Sequence, residues 1–197
     1  MTKVFFVRHA QPRHDHADDM TRPLTEEGMA DAKIVLETLQ DKGIDVFYCS
    51  PYKRSMDTIR ETADFYQMEI YTDMRLRERE KGIGGNNHGM FQKRWENHDY
   101  HEEGGESIGM VQTRNIEALK EILTENDGKN IVIGTHGTAL STIMNYYNSE
   151  FGCKDFLRII DWMPYIVEMD FEGQELVRIT EHAHIEKEFK GKERADK

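Results

Sequence analysis

Two short runs constrain the fold of this chain more than anything else in it. Val4-Phe5-Phe6-Val7 leads directly into Arg8-His9, and Ile131-Val132-Ile133-Gly134-Thr135 leads into His136-Gly137. A run this short and this continuously apolar suits a strand buried on both faces, as in a parallel sheet covered by helices. Open α/β sheets place their ligands beyond the carboxyl ends of such strands. The two runs therefore predict an arginine and two histidines at one sheet edge.

The rest of the chain reads in the same alternating way. Thr25 is a predicted N-cap for a helix running to Lys42. A strand over 44–49 ends at Ser50-Pro51, a helix follows over 52–66, and a third strand covers 68–71. Beyond a charged stretch with Leu76 as its apolar anchor, the glycine-rich segment Gly82 to Gly105 differs in composition from its flanks. Residues 79–106 are therefore predicted to be an inserted cap, with a short helix around Met90 to Asn97. A long helix from Ser107 to Glu125, a strand over 131–135, helices over 138–147 and 154–160, and a hairpin around Glu172-Gly173-Gln174 complete the order. The expected fold is α/β, a three-layer sandwich with a mostly parallel sheet, an antiparallel edge and a small cap. The expected organisation is one domain over 1–180, then a charged, frayed tail over 181–197.

Composition narrows the function classes. The 197 residues carry a formal net charge of -11 and a pI near 5.3. Such a field repels polyanions, so neither nucleic acid nor an anionic membrane is an expected partner. No apolar run is long enough to span a bilayer and no leader pattern opens the chain, so a cytoplasmic location is expected. Cys49 and Cys153 read as small buried hydrophobes.

Four positions carry chemistry. A cation such as Arg8 at the edge of a buried strand must find an anion. His136 precedes Gly137, which leaves room for a ligand near the backbone, and the following helix offers N–H groups to an anion. Arg54 falls in the first turn of its helix, the wrong end for a cation serving the dipole. It pairs either with a bound anion or with Asp57 or Glu61 on its own helix. In the charged run Arg75 to Glu80, beyond the third strand, one glutamate is a candidate proton donor and base.

Together these stretches resemble the histidine phosphatase superfamily, in its phosphoglycerate-mutase-like branch. Val7-Arg8-His9-Ala10 resembles the opening Arg-His-Gly signature, and Ser50-Pro51-Tyr52-Lys53-Arg54 with Thr58 resembles the Ser-x-x-x-Arg-x-x-x-Thr segment. Pro23-Leu24-Thr25-Glu26-Glu27-Gly28, Leu76-Arg77-Glu78, Gly104-Gly105-Glu106-Ser107 with Arg114, and His136-Gly137 follow in family order. The resemblance implies a phosphohistidine mechanism on a small phosphorylated substrate, without metal or cofactor. His9 would be the nucleophile; Arg8, Arg54 and His136 would bind the phosphoryl oxygens; Glu78 would be the acid and base, with Glu106 and then Glu80 in reserve.

Two departures stand out. Ala10 replaces the usual glycine and is expected to crowd the phosphate slightly. Gln11 to His16 replaces the usual loop, so its phosphate contact is not expected to be kept in the same form, with Gln11 or Arg13 the alternatives for it. A phosphomonoesterase is the favoured activity and a cofactor-dependent phosphoglycerate mutase the alternative. A metal-dependent hydrolase using His14 and His16 or His98 and His101, and a non-catalytic phosphate-binding regulator, rank lower. Phe91, Lys93, Trp95 and Tyr100 are the cap residues expected to face the substrate or to pack the cap onto the body.

Overall fold

A computed structural model describes residues 1–84 and 88–188. At its centre lies β1 (Thr2–Arg8), whose side chains from Val4 to Val7 are all buried. A strand apolar on both faces needs neighbours on both sides and cover above and below. β4 (Asn130–Thr135) pairs with it in parallel, and β5 (Trp162–Glu172) pairs with it antiparallel on the other side. β2 (Val46–Cys49) and β3 (Ile70–Thr72) extend the parallel part, and β6 (Glu175–Glu186) closes the antiparallel edge. The order is β3-β2-β4-β1-β5-β6.

Helices cover both faces. Val35 and Leu39 of α2 (Lys33–Leu39) and Ile59 and Ala63 of α3 (Lys53–Phe65) pack on Phe5, Val7, Phe47 and Val132. On the opposite face Leu119 and Leu123 of α5 (Ile108–Glu125) and Leu140 and Ile143 of α6 (Gly137–Tyr147) pack on Val4, Phe6, Ile131 and Ile133. Phe5 and Phe6 thus anchor opposite layers, and each contributes about 2–3 kcal/mol by leaving water. This is the expected three-layer α/β sandwich.

Register brings the chemistry to one edge. Val7 and Cys49 both stand opposite Gly134, so Arg8-His9, Ser50 and Thr135-His136 emerge side by side. A Cβ on Gly134 would collide with Cys49 Sγ and crowd Ser55 and Ile59. Glycine there lets the first turns of α3 lie against the sheet and deliver Arg54.

The predicted elements differ from the observed ones in two places. The helix expected from Thr25 to Lys42 is divided into α1 (Glu26–Asp31) and α2, which meet at Ala32. Thr25 Oγ1 does cap it, accepting from Gly28 N at 2.9 Å. The hairpin's second strand runs to Glu186 rather than stopping at Thr180, so Glu181 to Glu186 is not a frayed tail. Tyr165 and Arg158 both donate to Glu181, and His184 stacks on Trp162 at 3.7 Å between ring centroids. These partners on β5 and α7 outweigh the solvation of a charged segment. The remainder of the expected tail, 189–197, lies outside the described residues.

The cap region leaves and rejoins the body through adjacent backbone. Glu106 N donates to Glu80 O at 2.8 Å, and Ile83 N donates to Glu103 O at 2.9 Å. Its helix, α4 (Phe91–Glu96), matches the expected position, whereas 85–87 fall outside the described residues. The last helix, α7 (Cys153–Ile159), lies beneath α4 and shares its aromatic contacts.

Candidate active site

A cavity of about 190 Å³ opens over this sheet edge, with Arg8, His9, Arg54 and Glu78 among its lining residues. His9 is buried and its orientation follows from its two neighbours. Nδ1 lies 2.8 Å from Ala10 O, which can only accept, and Arg54 Nε donates to Nε2 at 3.3 Å. The ring is therefore the neutral Nδ1–H tautomer, with a lone pair on Nε2. Burial, and then the charges of Arg54 and Arg8, hold its pKa well below the ordinary value of 6.5.

The flanking cations are fixed by backbone. Arg8 donates to the carbonyl oxygens of Ile159 at 2.5 Å and Ile160 at 2.8 Å, at the end of α7 where the helix dipole favours a cation. A Cβ on Gly137 would stand 3.1 Å from the Arg8 guanidinium carbon, so the room that Gly137 leaves is filled by Arg8. Arg54, 3% exposed, donates to Asp19 O at 2.7 Å and approaches Asp19 Oδ1 at 3.3 Å. Neither Asp57 nor Glu61 holds it; Asp57 pairs with Lys53 at 2.9 Å.

His136 lies beneath His9 rather than on the cavity wall. Their ring centroids are 5.2 Å apart. Nε2 is 2.8 Å from Ser50 Oγ, and Nδ1 has no hydrogen-bond partner among the described residues. Burial first, then Arg54 and His9, lowers its pKa well below 6.5 as well. The outer residues of the Ser-x-x-x-Arg-x-x-x-Thr segment thereby acquire physical roles. Ser50 orients His136, and Thr58 Oγ1 accepts from Ala10 N at 3.0 Å, fixing the turn after His9.

Glu78 sits on the first turn of α6. Its carboxylate accepts from Thr138 N and Ala139 N, each at 3.1 Å, and from Arg79 N at 2.8 Å. The helix N–H groups expected to meet a ligand are thus already engaged by a side chain of the same protein. Arg114, from α5, fixes the segment that carries Glu78. It donates to Arg75 O at 2.6 Å, Arg77 O at 2.7 Å and Glu78 O at 3.1 Å, and grips both oxygens of Glu106 at 2.8 Å. Glu106, expected as a reserve acid, is committed to Arg114, Arg77 and Glu80 N, and Arg114 foremost opposes burial to hold its carboxyl below the usual range. Neither Glu106 nor Glu80 lines the cavity.

Several expectations change here. The Ala10 methyl is buried with Leu24 and Ala32 and does not line the cavity, because the turn fixed by Thr58 directs it toward α1. Gln11 is taken by Thr25, and Arg13 pairs with Asp15 at the surface, so neither reaches the cavity. In the cap Phe91 and Trp95 do both things expected of them, lining the cavity and packing on Phe156 with ring centroids 5.1 and 5.7 Å away. Lys93 instead sits 4.0 Å over the Tyr100 ring, and neither faces the cavity. His16 meets Thr21 Oγ1 at 3.0 Å and His101 meets Glu102 O at 3.0 Å.

Asp19, Arg22, Arg79, Lys81 and Arg94 also line the cavity and were not singled out in the sequence. The aperiodic loop before Pro23 offers no pattern that would mark Asp19 and Arg22. Arg79 and Arg94 are buried around Glu102, which lies 3.0 Å from Arg94 Nε and 3.5 Å from Arg79. Their only sequence signal is excess arginine in and beside the cap.

A neutral imidazole whose Nε2 lone pair meets an arginine, a second arginine beside it and a carboxylate on the same cavity make up the equipment of a phosphoryl-transfer enzyme. The comparisons with known proteins agree. The chain belongs to the histidine phosphatase superfamily (branch 1), whose family model matches residues 4–179. By that membership it is a phosphatase-class enzyme acting on phosphate monoesters. Phosphoserine phosphatase 1 of Hydrogenobacter thermophilus is 29% identical over 153 residues, covering 69% of this chain and 71% of its own. The fold matches YhfR of Bacillus stearothermophilus with a TM-score of 0.75 at 23% identity, over 90% of this chain and 95% of that one. It also matches the phosphoserine phosphatase of Entamoeba histolytica in complex with 3-phosphoglyceric acid, with a TM-score of 0.75 at 21% identity, over 93% and 98% of the two chains.

Proposed function

We propose that the protein hydrolyses small phosphate monoesters through a phosphohistidine at His9. The observation that carries this reading is the fixed imidazole, with Nδ1–H on Ala10 O and the Nε2 lone pair directed at Arg54 on the cavity wall. The Nε2 lone pair attacks phosphorus, the ester P–O bond breaks, and Glu78 delivers a proton to the leaving oxygen. Arg8 and Arg54 stabilise the charge spread over the phosphoryl oxygens, and His136, packed against the His9 ring, backs the nucleophile from within the protein. Ala10 O stabilises the positive ring of the intermediate. Glu78 then takes a proton from water, whose oxygen attacks phosphorus; the P–N bond breaks and inorganic phosphate leaves.

The cavity supports a small, anionic substrate. Arg79, Lys81 and Arg94 line it on the cap side, and Phe91 and Trp95 supply an apolar wall. The names of the relatives put phosphoserine and phosphoglycerates first on a substrate panel. We place the activity in the cytoplasm, where the unpaired Cys49 and Cys153 stay reduced.

Rapid quenching with a labelled phosphate ester should trap an acid-labile, base-stable phosphoenzyme in the wild type and none in His9→Ala. Equal labelling of both would reject the mechanism. Glu78→Gln should slow turnover by about 10²–10⁴-fold, the usual contribution of general acid-base catalysis. Running the panel with and without 2,3-bisphosphoglycerate separates a phosphatase, which releases phosphate, from a mutase, which returns an isomerised ester.

A further inference from the structure

One carboxylate in the cavity has no task in this mechanism. Asp19 Oδ1 lies 2.7 Å from a terminal nitrogen of Arg22 and 3.3 Å from one of Arg54. All three residues line the cavity that also holds His9 and Glu78. Sharing a single oxygen places the two guanidinium nitrogens within about 6 Å of each other, in reach of different oxygens of one phosphoryl group.

The loop has fastenings other than this carboxylate. The backbone oxygen of Asp19 already accepts from Arg54 at 2.7 Å, and Lys53 N donates to Met20 O at 2.9 Å. The loop base is closed by the Pro12–Leu24 bridge. Arg22 is steadied independently, its Nε and a terminal nitrogen donating to His16 O at 3.3 and 3.2 Å. Its side chain is 13% exposed, so it is set into the wall rather than free in solvent.

We propose that the Asp19 carboxylate is an internal occupant of the phosphate cradle, holding Arg22 and Arg54 until a phosphoryl group displaces it, and that Arg22 then becomes a further arginine on the bound phosphate. The inference rests on the phosphate-binding reading of the cavity. A phosphoryl dianion carries more charge and more acceptor oxygens than a carboxylate, so it wins the exchange. The arginines remain neutralised and preorganised throughout.

Isothermal titration with inorganic phosphate and steady-state hydrolysis of p-nitrophenyl phosphate test the exchange together. Asp19→Asn, which keeps the backbone bond to Arg54, should bind phosphate about tenfold more tightly and lower KM, because a charged competitor is gone. Arg22→Met should bind it about tenfold more weakly, and Arg22→Lys should recover part of the loss. In an Arg22→Met background the Asp19→Asn gain should shrink by at least half. Asp15→Asn removes a charge from the same loop and should change neither constant, separating the contact from the general field. Weaker phosphate binding in Asp19→Asn would mean that the carboxylate only supports the loop, and would overturn the proposal. So would an unchanged phosphate affinity in Arg22→Met and Arg22→Lys proteins whose thermal melts match the wild type. Absence of wild-type turnover alongside the expected phosphate affinities would reject the phosphatase reading and leave the exchange standing.

Discussion

Arg54 donates its Nε hydrogen to His9 Nε2 at 3.3 Å, so the guanidinium that helps keep the imidazole unprotonated also meets its lone pair. Burial sets the direction of the pKa shift and the cation reinforces it. In NMR titration His9 should remain a single Nδ1–H tautomer at pH 7 and gain its proton only well below 6.5. Arg54→Met should move that titration upward. A His9 ring that is doubly protonated at pH 7 would contradict this picture.

Stability should carry the same signature. His9 and His136 are both buried with pKa values depressed from 6.5. The unfolded chain therefore takes up protons that the folded one refuses as pH falls below 6.5. Stability is retained above that value and is lost below it, by up to about 1.4 kcal/mol per pH unit for each group. Urea midpoints between pH 7.5 and 5 give the slope, and His9→Asn should reduce it by one proton. An unaltered slope in that variant would mean that His9 titrates alike in both states.

Gly137→Ala would push a methyl to within 3.1 Å of the Arg8 guanidinium, which the carbonyls of Ile159 and Ile160 hold from the other side. Overpacking of this kind costs about 1–3 kcal/mol. It should appear as a loss of about tenfold or more in kcat/KM, with phosphate affinity falling in parallel. Wild-type kinetics in a folded Gly137→Ala protein would show that Arg8 has room to spare.

Ala10→Gly should act on stability rather than on chemistry. The methyl is lost from a small cluster with Leu24 and Ala32, and the turn gains backbone freedom. Thermal unfolding should show a loss of about 1–2 kcal/mol, while kcat changes less than twofold. A large rise in kcat would mean that the methyl does crowd the phosphate.

Residues in periodic elements, or immediately after buried strands, were the legible part of the chain. Arg8, His9 and His136 follow fully apolar runs, and Arg54 stands at the wrong end of a helix for its charge; both signals are local, and the sheet register merely assembles them. What could not be read depends on contacts between distant segments. Asp19 and Arg22 lie in a loop without periodicity, and only its folding over α3 brings them to Arg54. Glu106 looked like a spare acid because sequence alone does not show that Arg114, eight residues along, takes both of its oxygens. Ala10 looked like an obstruction because the direction of a methyl depends on a turn that Thr58, in another element, holds in place.

The grip of Arg114 on Glu106 and on the carbonyls from Arg75 to Glu78 also bears on how such proteins diversify. Glu78 precedes the cap and Glu106 ends it, so one guanidinium fastens both joints of the insertion to α5. The interior of the cap could then be lengthened, shortened or exchanged with Glu78 still seated on α6. A transplanted cap needs a carboxylate at its final position and an arginine two turns into the helix that follows. Donor segments bearing that pair would keep Glu78 where it is; those lacking it would let it drift from α6.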